Sequence, residues 1–202
     1  HEDEEHEDEE HEHAAHGDEE AHHHHEGADP HTWQSVSNVI VWTENIATTL
    51  RALDPAHADE YAASATVYRA ELEALHAELH ALVDMLPVTH RKLVTDHDSL
   101  GYLAHEYGFT VIGTVIPSLS TVAAASAREL AALEAQMTVE GVKAIFVGTT
   151  VNAQLATQLA ADLGIQVVPI YTGSLSDAAG PAATYVDFMR HNMQTIVEAL
   201  RD

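Results

Sequence analysis

The chain has 202 residues, no cysteine and 46% hydrophobic residues, with 33 acidic side chains against 8 basic ones and a formal net charge of −25. That length allows one domain or two small ones, the lack of Cys excludes disulfides and thiolate metal sites, and the charge repels nucleic acid and anionic membrane while suiting cations. No stretch reaches the roughly 18 consecutive apolar residues of a membrane span.

The charge is concentrated at the start. Residues 1–26 hold 13 acids, 9 of the 17 histidines and no Lys or Arg. With dense like charge and almost no apolar side chains, residues 1–28 cannot fold alone and read as a disordered acidic loop. His22, His23, His24 and His25 form a run, and neutral imidazole interleaved with carboxylate suits zinc, nickel or copper. An expression tag would explain the run but not the interleaved acids.

Asp29-Pro30-His31-Thr32-Trp33 follows, in which the proline forces Asp29 out of helical geometry. An amphipathic helix is expected over 34–53, with Val36, Val39, Ile40, Thr43, Ile46, Ala47 and Leu50 on one face. A second helix begins at Asp54-Pro55 and runs to about Met85, where Pro87 stops it. It carries His76 and His80 one turn apart, a pair that reads as a solvated face more readily than as a metal site. From Arg91 strands alternate with helices. Strands are expected near 92–95, 110–115, 144–147 and 166–170, and helices near 99–107, 124–138, 152–163 and 182–201. This alternation implies right-handed crossovers and a parallel sheet, an α/β fold. Gly108, Gly141 and Gly164 each fall between a helix and the next strand, where a left-handed residue ends the helix.

The chemistry centres on Lys92-Leu93-Val94-Thr95-Asp96-His97-Asp98-Ser99, a strand, a tight turn and a helix start with Ser99 as N-cap. His97 then sits at the carboxyl end of a strand, where open α/β sheets bind ligands, beside carboxylates that can orient its ring. Taken alone, one histidine in a turn is as readily a surface residue. His31, separated from it by one long helical pattern, makes a site assembled from distant parts of the chain.

Asp-Pro-His-Thr-Trp at 29–33, Val-Thr-Asp-His-Asp-Ser-Leu-Gly-Tyr at 94–102, Gly-Thr-Val-Ile-Pro-Ser-Leu-Ser-Thr at 113–121 and Ala-Thr-Tyr-Val-Asp-Phe-Met-Arg-His-Asn at 183–192 resemble the zinc/manganese substrate-binding proteins of bacterial ABC importers (cluster A-I). The resemblance is to the zinc-binding branch with an acidic, His-rich loop, and it runs in order along nearly the whole chain. It implies a two-lobed fold with parallel sheets, the lobes joined by one long helix. This chain would hold the loop (1–28), the end of lobe one (29–54), the linking helix (55–87) and all of lobe two (88–202), with upstream sequence missing. It implies an extracytoplasmic protein, periplasmic or lipid-anchored, that captures Zn2+ as a monomer and hands it to a membrane permease.

His31 and His97 are the expected metal ligands, Asp98 a partner behind His97, and His22 to His25 an accessory, weaker site. The resemblance assigns a further histidine to the missing part of lobe one. It also expects an acid where this chain has Gly173, in Tyr171-Thr172-Gly173-Ser174-Leu175, or where it has Gly148, after Phe146-Val147. Water, or a loop carboxylate such as Asp177, would then close the site. Manganese-preferring relatives put glutamate at the position of His97, and imidazole favours zinc. Manganese or another divalent metal is the alternative cargo, and metal buffering by the His-rich loop the alternative class. An enzyme is disfavoured: there is no His-Glu-x-x-His helix, no Gly-x-Ser-x-Gly elbow and no phosphate loop.

Overall fold

The computed structural model describes residues 28–120 and 125–201. A 3-10 turn at Thr32–Gln34 leads into α1, Val36–Leu53. Ser35 caps α1, its hydroxyl accepting from the Asn38 N–H at 3.1 Å and so satisfying one of the donors every helix start leaves open. Asp54-Pro55 ends that helix. After a 3-10 turn at Pro55–His57 the chain returns as α2, Ala58–Val83. At 26 residues, α2 is about 39 Å long, shorter than the expected run because the proline turn stands outside the helix.

Only the second half of α2 is built into a core, through Leu72, Leu75, Leu79 and Val83, all essentially inaccessible to solvent. The first half packs with α1. The apolar face of α1 divides in the same way. Val36 and Val39 are buried and Ile40 packs against them, whereas Ile46 and Leu50 line a groove with Tyr61, Ala65 and Tyr68 of α2 and remain partly exposed.

The rest is β1 Lys92–His97, α3 Gly101–Tyr107, β2 Thr110–Ile116, α4 Ala127–Glu140, β3 Ala144–Gly148, α5 Gln154–Leu163, β4 Gln166–Ile170 and α6 Tyr185–Leu200. The four strands form one parallel sheet in the order β2-β1-β3-β4. Alternate residues feed opposite layers, as a strand's period of two requires. Leu93, Phe146, Val168 and Ile170 join one core with α2, α3 and α6, while Val94, Ile145 and Val147 join another with α4 and α5. Burial on both faces explains why these strands read as continuous apolar runs.

Gly108, Gly141 and Gly164 all adopt positive φ, 73°, 63° and 69°, and end α3, α4 and α5 as expected. The start of α4 lies later than expected because Ser126 and Glu129 form a reciprocal capping box there. The sheet has irregular margins. Pairing of β1 with β2 slips between Leu93 and Val94, so that Val94 faces Gly113, and β4 contains Pro169, which has no N–H to donate. No helix among the described residues is long and apolar enough to cross a membrane.

Candidate metal centre

The strand order reverses between β1 and β3: from β1 the chain moves outward to β2, and from β3 it moves the other way to β4. In an open parallel sheet such a switch point leaves a crevice beyond the carboxyl ends of the two central strands. His97 is the last residue of β1 and Gly148 the last of β3.

Asp96 bridges this crevice. One carboxylate oxygen accepts from the His97 backbone N–H at 2.8 Å and contacts His97 Nδ1 at 2.9 Å, while the other accepts from the Gly148 N–H at 3.0 Å. Asp96 and His97 are 3% and 5% exposed, so these contacts are shielded from water. The β1 strand runs through His97 rather than stopping at Thr95, which carries Asp96 into the sheet. The carboxylate on Nδ1 of His97 is that of Asp96, and the Asp98 backbone N–H donates to the Ser118 carbonyl at 2.9 Å. Ser99 does not cap the following helix. Leu100 is the N-cap of α3, and the Ser99 hydroxyl is buried without a hydrogen-bond partner.

His31 repeats the arrangement. One Asp29 oxygen accepts from the His31 backbone N–H at 2.9 Å and contacts its Nδ1 at 2.7 Å. A carboxylate can only accept, so in both rings Nδ1 carries the proton and Nε2 presents its lone pair. The two imidazoles lie edge to face, 5.3 Å between centroids at 68°, and His31 is 7% exposed. The His31 segment is tied to the far side of the crevice. Trp33, in edge contact with His31, donates its indole N–H to the Thr172 carbonyl at 2.9 Å, and the Tyr185 hydroxyl donates to the Trp33 carbonyl at 2.9 Å.

Two imidazole nitrogens could supply two of the four donors that a tetrahedral metal shell needs. Among the described residues, no group of three His, Cys, Asp or Glu is assembled that could hold a metal ion. Asp177 is exposed on the loop after β4, its carbonyl accepting from the Gly180 N–H at 3.0 Å. His22 to His25 lie outside the described residues. His76 and His80 do sit ring to ring, 4.6 Å apart, but against Tyr107 in the packed junction of α2 and α3.

The two glycines differ. A side chain on Gly148 would drive its Cβ into the Thr172 hydroxyl and close to Asp96 Oδ2, so this position serves the Asp96 network. Gly173 has open space at its Cβ position and no positive φ; it lines a groove of about 380 Å³ together with Trp33, Thr172 and Tyr185.

Residues 2–199 match the family described as ZnuA, zinc-uptake complex component A, periplasmic. The chain belongs to this family. Among its curated relatives, the manganese-binding lipoprotein MntA of Halalkalibacterium halodurans is 31% identical over 176 residues, which is 87% of this chain and 58% of the relative. The zinc-binding protein TroA of Treponema pallidum is 33% identical over 178 residues, 85% of this chain and 57% of the relative. The iron-binding protein YfeA of Yersinia pestis is 29% identical, covering 85% and 55%. Among solved structures, periplasmic zinc-binding TroA superposes with a TM-score of 0.79 at 29% identity, covering 86% of this chain and 64% of that one. A cadmium-bound periplasmic metal-binding protein from Candidatus Liberibacter asiaticus gives 0.76 at 31% identity, covering 85% and 64%. The chain thus spans somewhat over half the length of these ZnuA-family relatives. Members are extracytoplasmic solute-binding proteins, periplasmic or lipoprotein, and not enzymes, and this chain shares that placement.

Proposed function

We propose that this chain is the larger part of a receptor that captures zinc outside the cytoplasmic membrane and delivers it to the permease of an ABC importer. His31 and His97 bind the ion through Nε2. The observation that carries this reading is the paired Asp–His geometry: two buried imidazoles 5.3 Å apart, each with a carboxylate on Nδ1. Such a carboxylate fixes the tautomer and makes the opposite nitrogen a better donor to a metal. The coordination shell is closed by water or by a loop carboxylate such as Asp177. On this reading α2 is the linking helix, residues 88–202 form one lobe, and the His-rich run at 22–25 gathers ions at lower affinity.

Two nitrogen donors favour zinc over manganese, which prefers oxygen. The alternative cargo, manganese or iron, draws support from the names of the relatives MntA and YfeA. Calorimetric titration of the full-length protein with each metal, repeated on His97→Ala, tests both points. The expected result is one tight zinc site, weaker manganese binding and a large loss of zinc affinity in the variant. Unchanged tight binding in His97→Ala would remove His97 from the site, and tighter manganese would assign that cargo. Weak sites alone would leave only metal buffering.

A further inference from the structure

Away from the metal centre, one buried carboxylate is left without a role. Glu106 lies on α3, the helix that follows His97, with a side chain only 10% exposed. Its Oε1 accepts from the Ser37 N–H at 3.0 Å and from the Ser37 hydroxyl, both in the first turn of α1, the helix that follows His31. The same oxygen is 3.3 Å from Nδ1 of His76 on α2. Its Oε2 is buried and has no hydrogen-bond partner. A buried oxygen without a partner is an arrangement that stability alone disfavours. Ser35 already caps α1, so the helix start does not depend on Glu106 for that function.

Glu106 joins three elements next to the two imidazole-bearing segments. It ties the start of α1, which follows His31, to α3, which follows His97, against the long helix α2. We propose that Glu106 is a positioning residue for metal binding: through Ser37 and His76 it keeps His31 and His97 at the separation at which both reach one ion. The proposal rests on the reading of His31 and His97 as ligands. Its negative charge also acts near the helix N-terminus of α1, where an anion is favoured, so the contact stays closed whether or not an ion is present.

The test is zinc affinity of the full-length protein, by competition with a chromophoric chelator at fixed pH, alongside thermal unfolding of the metal-free form. Glu106→Ala should weaken zinc about tenfold, the scale on which groups behind the ligands act. Glu106→Gln, whose amide oxygen still accepts from Ser37, should recover most of that loss. Glu78→Ala is the control: it breaks a comparable link between α2 and α6, the paired contacts to Arg190 at 2.8 and 2.9 Å, which joins neither α1 nor α3. It should lower the melting temperature and leave affinity unchanged. Should Glu106→Ala fail to fold, Glu106→Asp and Ser37→Ala decide in its place, each expected to weaken zinc by about threefold, one ordinary hydrogen bond. Parent-like affinity in these variants, while His97→Ala loses zinc, would overturn the positioning role and spare the site. A loss in Glu78→Ala equal to that in Glu106→Ala would overturn it too, as general destabilisation. Tight binding retained in His97→Ala would overturn both readings.

Discussion

Asp96→Asn is the most discriminating change at the centre, because it alters one atom in a fully counted network. The carboxylate receives three donors: the His97 N–H and Nδ1–H on one oxygen and the Gly148 N–H on the other. An amide has one oxygen and one NH2. If the oxygen faces His97, the NH2 meets the Gly148 N–H, donor against donor, in a site 3% exposed. If the amide flips, the NH2 meets both donors of His97, and the ring must turn or exchange its proton to Nε2, the nitrogen that the ion needs. Either way the network that holds His97 loses at least one hydrogen bond while the imidazole itself is kept. Loss of such a partner typically costs 10–100-fold in metal affinity, about 1.4–2.8 kcal/mol. Chelator competition at fixed pH measures it, with near-ultraviolet circular dichroism to confirm the fold. Affinity equal to the parent in a folded variant would refute the idea that Asp96 sets the ligand nitrogen.

Gly173→Asp should tighten zinc by about 1–3 kcal/mol if the new carboxylate reaches the ion at an effective dielectric near 20; its open surroundings and ordinary φ remove steric objections, and unchanged zinc release would mean the position does not face the metal. Gly148→Glu, by contrast, should weaken binding through its clash with Thr172, and tighter binding there would contradict the described packing. Deleting residues 1–26 should leave the tight site intact and lower the total zinc bound per chain in equilibrium dialysis; loss of the tight site would make the loop a primary ligand source. Burial, with Glu106 adding to it, raises the phenol pKa of both Tyr107 and Tyr185. Above about pH 10 the unfolded chain therefore loses these protons first, and stability should fall as pH rises; denaturant midpoints that stay flat there, or tyrosinate absorbance equal to that of all six tyrosines before unfolding, would be inconsistent with that.

Much of the α/β half was legible because its signals are local. Strands buried on both faces read as apolar runs, and α3, α4 and α5 each end on a left-handed glycine. His31 and His97 stood out because a proline and a strand end constrain them, and the fold brings their rings to within 5.3 Å of each other. Asp96 was harder to tell from Asp98, since both flank His97. The difference depends on how far β1 extends, which its pairing with β2 and β3 decides. Asp29 carries a signal that could have been used, an acid two residues before a constrained histidine. Ser99 has the composition of a cap and misled the reading. The helix begins one residue later, behind Leu100 and with no side-chain cap. Glu106 gave no local sign at all, because its partners are 69 and 30 positions away in the chain and meet it only through the packing of three helices.

The irregular sheet margins bear on how this protein behaves at high concentration. A parallel sheet exposes a row of unpaired backbone groups along each outer strand, a template on which a second copy can add its own strand. Here β4 carries Pro169, whose ring interrupts the donor row, and β2 carries the register slip at Gly113, which bends the opposite row out of line. Neither border offers an uninterrupted ladder. Among the described residues, a second copy therefore meets no straight edge on which to add a strand.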